Sequence, residues 1–542
     1  MVPDSGQVLQ WDGLSWAPGA LTTTSEGWLL DGNSGSDSLT NFIGTTDNQP
    51  LIFKVNNTLA GKLSLAGENT FIGVNAGFST STGHGNAAFG FEPMYFNTEG
   101  SFNTAFGVQA LYANTTGQGN TAEGYLALNA NTEGEFNTAI GLQSLYSNTT
   151  GVHNTAVGAD ALYSNTEGEA NTACGLQALY SNTTGLGNTA CGYLALFNNT
   201  TGEINTAYGV EALFSNTEGS YNTAIGVGAM YSNTSGSDNV AIGEESLYFN
   251  TTGGANTAIG EYSLQLNTTG HENVANGFMA MVENVQGSYN SAIGTWALSS
   301  NESGNNNTTM GFQAMGFSST ASGNSVFGTN GLSNLATGSN NTAVGISTNC
   351  SSGAQTNSTV IGASAIVNAN NKVRLGNTST TVVEGQVAYS FPSDARFKFN
   401  VKEEVKGLDF IKRLRPVNYQ FDTRRFEEFL MQNMPDSISR SHFEEIDFSE
   451  STGMVHTGFI AQEVQQAALE SGYVFDGVHA PVDGNDNYSV AYSQFVVPLV
   501  KAVQEQQVMI GQLQQENASQ KAEMAQLKAE LQEIKALLMS GN

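Results

Sequence analysis

Ser393 and Lys398, five residues apart, stand in the one stretch of this chain that has a catalytic look. A serine hydroxyl is a poor nucleophile until a neighbour takes its proton, and lysine can take it once desolvation favours its neutral form. Both lie in Phe391-Pro-Ser393-Asp-Ala-Arg396-Phe-Lys398-Phe-Asn400-Val, where Pro392 precedes the serine and Asp394, Arg396 and Asn400 flank the lysine. Pro392 removes a backbone N–H and fixes φ on the acyl side of the Pro392–Ser393 bond. By spacing alone the stretch reads as a solvated basic strand at the start of a domain. Other chemistry is thinner. Hydrolysis of polysaccharide needs paired carboxylates at a defined separation; the acids here are scattered, although stacking could gather Glu133, Glu135 and Glu167. Cys174 and Cys191 share one place in adjacent repeats where other units carry Ile, Val or Phe, so buried thiols are expected, with a disulfide as the alternative.

What must position these residues is dominated by a repeat. The glycine of Asn-Thr-Ala-x-Gly recurs every 17 residues from Gly73 to Gly362, eighteen units in all. A period this rigid predicts a solenoid. In most units Ala stands two places before the glycine, usually an apolar residue one before it, and in most units Leu or Met four after it, as in Met94, Leu111, Leu128 and Leu145. Apolar patches this short, separated by Ser-Asn-Thr-Thr-Gly turns, suit two short strands per coil rather than helices. Stacked Asn and Thr at equal turn positions can hydrogen-bond along the axis, and the many Asn-x-Thr triplets are turn chemistry before they are glycosylation signals. Glu123 and Asn276 interrupt the apolar place before the glycine, as a local irregularity or a polar site. With strands about 4.8 Å apart the array would be a rod on the order of 85 Å long. Its core is thin, so trimerisation through one face is expected to supply missing burial.

Charge limits the partners. Acids outnumber bases 48 to 18 in the 542 residues, and between Lys62 and Lys372 there are 19 acids and no Lys or Arg. Such a surface repels nucleic acid and anionic membrane. Its oxygen-rich acidic turns could hold Ca²⁺; no other cofactor is expected. No secretory apolar region opens the chain and no apolar run can span a bilayer, so either a leader has been removed or the protein leaves the cell inside a particle.

Six segments follow. Residues 1–45 are a β-rich attachment segment, with a hairpin signal around Asp12-Gly13 and with Trp11 and Trp16 capping the first rungs or docking a neighbour. Residues 46–67 are a strand lead-in, 68–366 the repeat shaft, and 367–392 a neck with a strand over 382–389. From 393 to 498 the pattern becomes α+β: Leu408, Phe410, Ile411 and Leu414 mark a helix face, Pro416–Phe421 a strand, and Phe459 to about Leu469 a second helix, with 426–455 as an acid-rich loop. Residues 499–542 carry unbroken heptads, with Val503, Ile510, Met524, Leu531 and Leu538 at a and Leu513, Leu527 and Ile534 at d. This predicts a coiled coil, trimeric by preference, in which the polar layers Gln506, Asn517 and Gln520 set the register.

Two resemblances add to this reading. Asn-Thr-Ala-Ile-Gly, clearest at 137–141, 222–226 and 256–260, resembles the head repeats of YadA-type trimeric bacterial adhesins, which are parallel β-rolls of three chains; the period here is longer. The Ser393–Asn400 stretch, Gly458-Phe-Ile-Ala-Gln-Glu463, Tyr492-Ser and the closing heptads resemble the intramolecular chaperone domain of phage endosialidases and tail fibres, the S74 peptidase family, over 393–542. That resemblance implies a domain that trimerises, promotes folding of the upstream fibre and cuts itself off before Ser393. Ser393 would be the nucleophile and Lys398 the base, with Pro392, Asp394, Arg396, Asn400, Gln462 and Glu463 as motif or positioning residues.

Phe397 replaces the family's usual Leu. The implied function is a homotrimeric fibre of a phage tail or phage-like injection system. Its N-terminus would join a baseplate or tail component, and it would bind a cell-surface receptor, a glycan among the candidates, outside the cell. The alternative is an adhesin on a bacterial surface; a depolymerase tailspike is the remaining class.

Overall fold

A computed structural model describes residues 35–37, 40–386, 390, 392–434, 440, 443 and 447–540, and the backbone of 7–11 and 16–20. The chain divides into two compact units, Met1–Thr252 and Gly253–Asn542.

In the first unit Gln7–Trp11 pairs antiparallel with Trp16–Ala20, placing Trp11 opposite Trp16; the Asp12-Gly13 turn and both indole side chains lie outside the described residues. The antiparallel strands Leu51–Val55 and Thr58–Ser64 then lead into Asn69–Ile72, where a parallel ladder begins. Each turn contributes one strand of three residues, as Thr104–Phe106, Thr121–Glu123 and Thr138–Ile140, in register at 17-residue steps. The ladder runs to Val240–Ile242.

The expected second strand is absent from these turns. Gln143, Leu145 and His153 adopt φ of 52°, 51° and 57°, and their counterparts in other turns do the same. Left-handed conformations break an extended run, at about 1–2 kcal/mol per non-glycine residue. The segment still bonds from turn to turn, with the Leu145 amide donating to Ala161 O at 2.9 Å and Ser147 to Tyr163 O at 3.0 Å. The leucine column so formed is fully buried beside the alanine column, and a buried leucine returns about 1.5–3 kcal/mol.

Polar columns hold the corners. Asn137 and Asn148 both donate to Gly151 O, at 2.8 and 3.0 Å, while Asn137 Oδ1 accepts from the Asn154 amide at 3.0 Å. Both asparagines are buried. A side chain on Gly151 would place Cβ 2.5 Å from Asn148 Oδ1 and 2.6 Å from Gly168 O, and one on Gly141, at φ 136°, would meet Gly158 O at 2.5 Å. That is why two glycine columns recur. The asparagines of the Asn148-Thr-Thr and Asn182-Thr-Thr triplets are buried and bonded, so they serve the turn, as expected. A seven-ring aromatic stack runs from Tyr146 through Tyr163, Tyr180, Phe197, Phe214 and Tyr231 to Tyr248, with centroids 5.0–5.3 Å apart.

The place just before the glycine faces outward, against expectation. In a three-residue strand only the central side chain points into the coil, so Ala is buried while Ile140, Ile225 and their counterparts are exposed. The buried thiol expected at Cys174 is therefore exposed; Cys191 is half-exposed, and all three cysteines are free. The Cys174 thiol is pushed up by its hydrogen bond to Cys191 and by the charge beside it. Cys350 is the buried one, with burial pushing it up to about 12. Glu123 and Asn276 stay in register with their neighbours, so neither disturbs the ladder.

In the second unit the ladder runs from Thr257–Ile259 to Val373–Leu375, with Asn349–Cys350 and Ile366–Val367 as an added parallel pair. The last turn is shorter: Thr359 pairs with Val373, fourteen residues on. Residues 382–386 are exposed and carry no strand, while 387–389, the rest of the expected neck strand, lie outside the described residues.

Beyond residue 392 the strand Val417–Gln420 pairs antiparallel with Val455–Gly458. The helix Leu408–Arg413 sends Phe410 into a core with Val464, Ala467 and Ala468 of the helix Ala461–Glu470 and with Phe495. Part of the expected acidic loop is helical: Thr423–Leu430 and Ser449–Gly453 are helices, and Leu430, Met431 and Met434 are buried. The chain closes in the helix Val496–Ser540. No described helix is long and apolar enough to cross a membrane.

Candidate active site

The Ser393 segment is organised by a cap. Asp394 accepts the Arg396 amide at 2.9 Å and holds the Arg396 guanidinium in a bidentate pair, starting the short 3-10 turn Ala395–Phe397. The Arg396 guanidinium, with help from that amide, holds the Asp394 carboxyl below the usual carboxylate range. The turn closes at Lys398, whose amide donates to Ala395 O. Lysine is thereby folded back over the serine, and Lys398 Nζ donates to Ser393 Oγ at 2.6 Å. Asn400 sits at φ 53°, a conformation asparagine tolerates better than most residues.

The geometry suits acyl transfer: a hydroxyl next to the carbonyl of its own preceding peptide bond, with an amine in contact to exchange its proton. The site is open. Ser393 and Lys398 are exposed, and Phe397, Phe399 and Val401 are each at least 79% exposed around them. No described residue buries this lysine.

Gln462 and Glu463 stand elsewhere. Glu463, in the first turn of Ala461–Glu470, takes a bidentate pair from Arg415 at 3.0 and 2.5 Å, which holds its carboxyl low. Gln462 is exposed on the same helix. Neither is hydrogen-bonded to Ser393 or Lys398 among the described residues. What the motif around them does is structural. The Phe459 amide donates to the Tyr492 hydroxyl at 3.0 Å, and a Cβ on Gly458 would lie 2.1 Å from that hydroxyl. Gly458 and Tyr492 therefore form one joint. Glu505 of the terminal helix accepts the Leu408 amide at 2.7 Å, and Gly407 leaves no room for a Cβ against Ala502 and Lys501. Glu505 gave no sign in the sequence, because a cap ninety-seven residues away has no local signature.

Residues 393–473 match the family model Peptidase_S74, chaperone of endosialidase, and the match begins at the serine. Residues 393–473 thus carry a chaperone-of-endosialidase domain. No curated protein and no solved structure matches the chain. A chaperone domain of this family behind a β-solenoid is consistent with a protein of the tail-fibre or tailspike type.

Among the described residues no three His, Cys, Asp or Glu side chains gather to hold a metal ion. Gln506, Asn517 and Gln520 all lie exposed on the terminal helix, as do the a and d residues Ile510, Leu513, Met524, Leu527 and Leu531, each about half exposed.

Proposed function

We propose that the protein is a homotrimeric fibre of a phage tail or phage-like injection apparatus. In this reading the chaperone domain drives its assembly and then cuts the chain before Ser393. The observation that carries the reading is the family match beginning at Ser393, together with the 2.6 Å contact from Lys398.

Trimerisation is supported by two apolar surfaces that no described residue covers. One is the a/d stripe of Val496–Ser540; the other is the outward column before each glycine, with Ile140, Ile225, Ile293 and Ile361 among its members. Stripes of this extent mark association surfaces. An identical chain carries a matching stripe at every rung. Gln506, Asn517 and Gln520 would set the stagger that near-identical rungs leave open.

Cleavage follows from assembly. Ser393 Oγ attacks the Pro392 carbonyl carbon as Lys398 takes the hydroxyl proton; the C–N bond breaks, the Ser393 nitrogen takes a proton to become a free amine, and an ester remains. Water hydrolyses that ester, leaving a carboxylate on Pro392 and the serine hydroxyl restored. A lysine acts as base when water is excluded from it, and a neighbouring copy seated on Phe397, Phe399 and Val401 would exclude it. Each chain is cut once. The solenoid is the shaft, and its N-terminal segment joins the particle; the receptor, a glycan among the candidates, is met outside the cell.

A gel of the purified protein beside Ser393→Ala tests the cut. A fragment of residues 1–392 that is lost in the variant is expected; full-length chains alone in both refute cleavage.

A further inference from the structure

The final turn of the solenoid is gripped by the chaperone domain at a surface that does not include the Pro392–Ser393 bond. Lys372, the first Lys or Arg after Lys62, enters it with Nζ donating to Asn368 Oδ1 at 2.9 Å, Asn487 Oδ1 at 3.1 Å and Asp486 Oδ1 at 3.2 Å. Asp486 has a side chain only 2% exposed, and its other oxygen contacts His479 Nε2 at 2.5 Å. Asn368, also buried, donates to Asn485 O at 2.8 Å and to Asn487 Oδ1 at 3.0 Å. Beside this polar group Ile366, 3% exposed, plugs into Leu430, Met431 and Met434. Arg374 lies 5.9 Å from the Phe426 ring centroid, where burial lowers its pKa and Glu427 opposes that effect. Four side chains of this short turn, Ile366, Asn368, Lys372 and Arg374, thus meet the loop 483–487, the helix Thr423–Leu430 and the two methionines just beyond it.

We infer that this surface is a docking site whose occupant is the solenoid's own last turn, so that scission before Ser393 leaves the two pieces bound. The inference rests on the cleavage reading for its biological setting, not for its geometry. Cutting at 392–393 removes none of the contacts above, and the connecting residues 382–386 are exposed and make no strand. Separation would break the hydrogen bonds that Lys372 and Asn368 make to residues 485–487 and would expose Ile366 to water, and each of these losses opposes release. Solenoids also need their terminal turns covered to stay soluble. In this arrangement the domain that assembled the fibre stays on as its cap.

The test uses full-length protein carrying Ser393→Ala and a specific protease site in place of residues 382–386, so a chain that does not cut itself is still nicked on demand. After nicking at neutral pH the two fragments should co-elute on native size exclusion. The same protein with Lys372→Met should release the domain at least tenfold faster, and Asn368→Ala gives a milder version if Lys372→Met does not yield folded protein. Immediate separation of the nicked parent overturns the inference. So does retention that is equally long in both variants, since the hold would then lie elsewhere. Loss of autocleavage in the wild type, by contrast, touches only the cleavage reading.

Discussion

Truncating one asparagine of the buried ladder, Asn171→Ala, puts the account of the solenoid at most risk. Asn171 Oδ1 accepts the Asn188 amide at 2.9 Å, and its Nδ2 donates to Gly185 O at 2.8 Å. Gly185 O would keep Asn182 Nδ2 at 3.0 Å, and Asn154 Oδ1 would keep the Asn171 amide at 3.0 Å. The Asn188 N–H loses this acceptor inside a buried column. An orphaned buried donor costs about 1–3 kcal/mol and the lost bonds about 1 kcal/mol more, for a total of about 2–4 kcal/mol. Unfolding of a repeat array is not safely two-state, so the readout is local. Hydrogen exchange of the Asn188 amide should accelerate roughly 30- to 1,000-fold, at about 1.4 kcal/mol per decade. Glu169→Ala, on the exposed edge of the same turn, should leave it unchanged. An Asn188 rate within threefold of wild type in Asn171→Ala would refute the claim that the asparagine ladder carries energy.

Cys174 and Cys191 report on the proposed trimer face: a short bis-maleimide should give inter-chain cross-links that a double Cys→Ser variant lacks, whereas free alkylation of assembled protein without cross-links would place that face in solvent. Deleting 499–542 should leave monomeric or aggregated chains by light scattering; a soluble trimer from that deletion would remove the terminal helix from assembly. Tyr180→Ser breaks two stacked contacts, with Tyr163 and Phe197, each worth about 0.5–1.5 kcal/mol. Its thermal unfolding should shift down while the exposed control Tyr193→Ser does not; equal shifts would make the stack incidental.

Much of this was legible in the residues. The 17-residue period, the leucine column and the heptads report directly on repetition, and repetition is local information. The outward column was misread because Ile, Val and Phe look buried by type. Their fate depends on how many residues each strand keeps extended, and the positive φ of Gly141, directly after Ile140, ends it at three. The candidate site divides the same way. Ser393 and Lys398 were visible as a motif, and the Asp394 cap that folds one over the other is local, closing on Arg396 two residues on. The Tyr492–Phe459 joint and the Lys372–Asp486 contact join residues 33 and 114 positions apart, and nothing local announces them.

By itself the amino-acid sequence determined the coil, its period, its glycine columns and the motif that holds Ser393 and Lys398, because each follows from neighbours along the chain or from exact recurrence. Only the tertiary structure decided which face of the coil is apolar and open, that the last turn shrinks to fourteen residues, and that this turn is held by the loop 483–487 and the helix Thr423–Leu430. Those outcomes depend on backbone handedness and on contacts between distant segments, where one side chain's partner is chosen by geometry rather than by spacing.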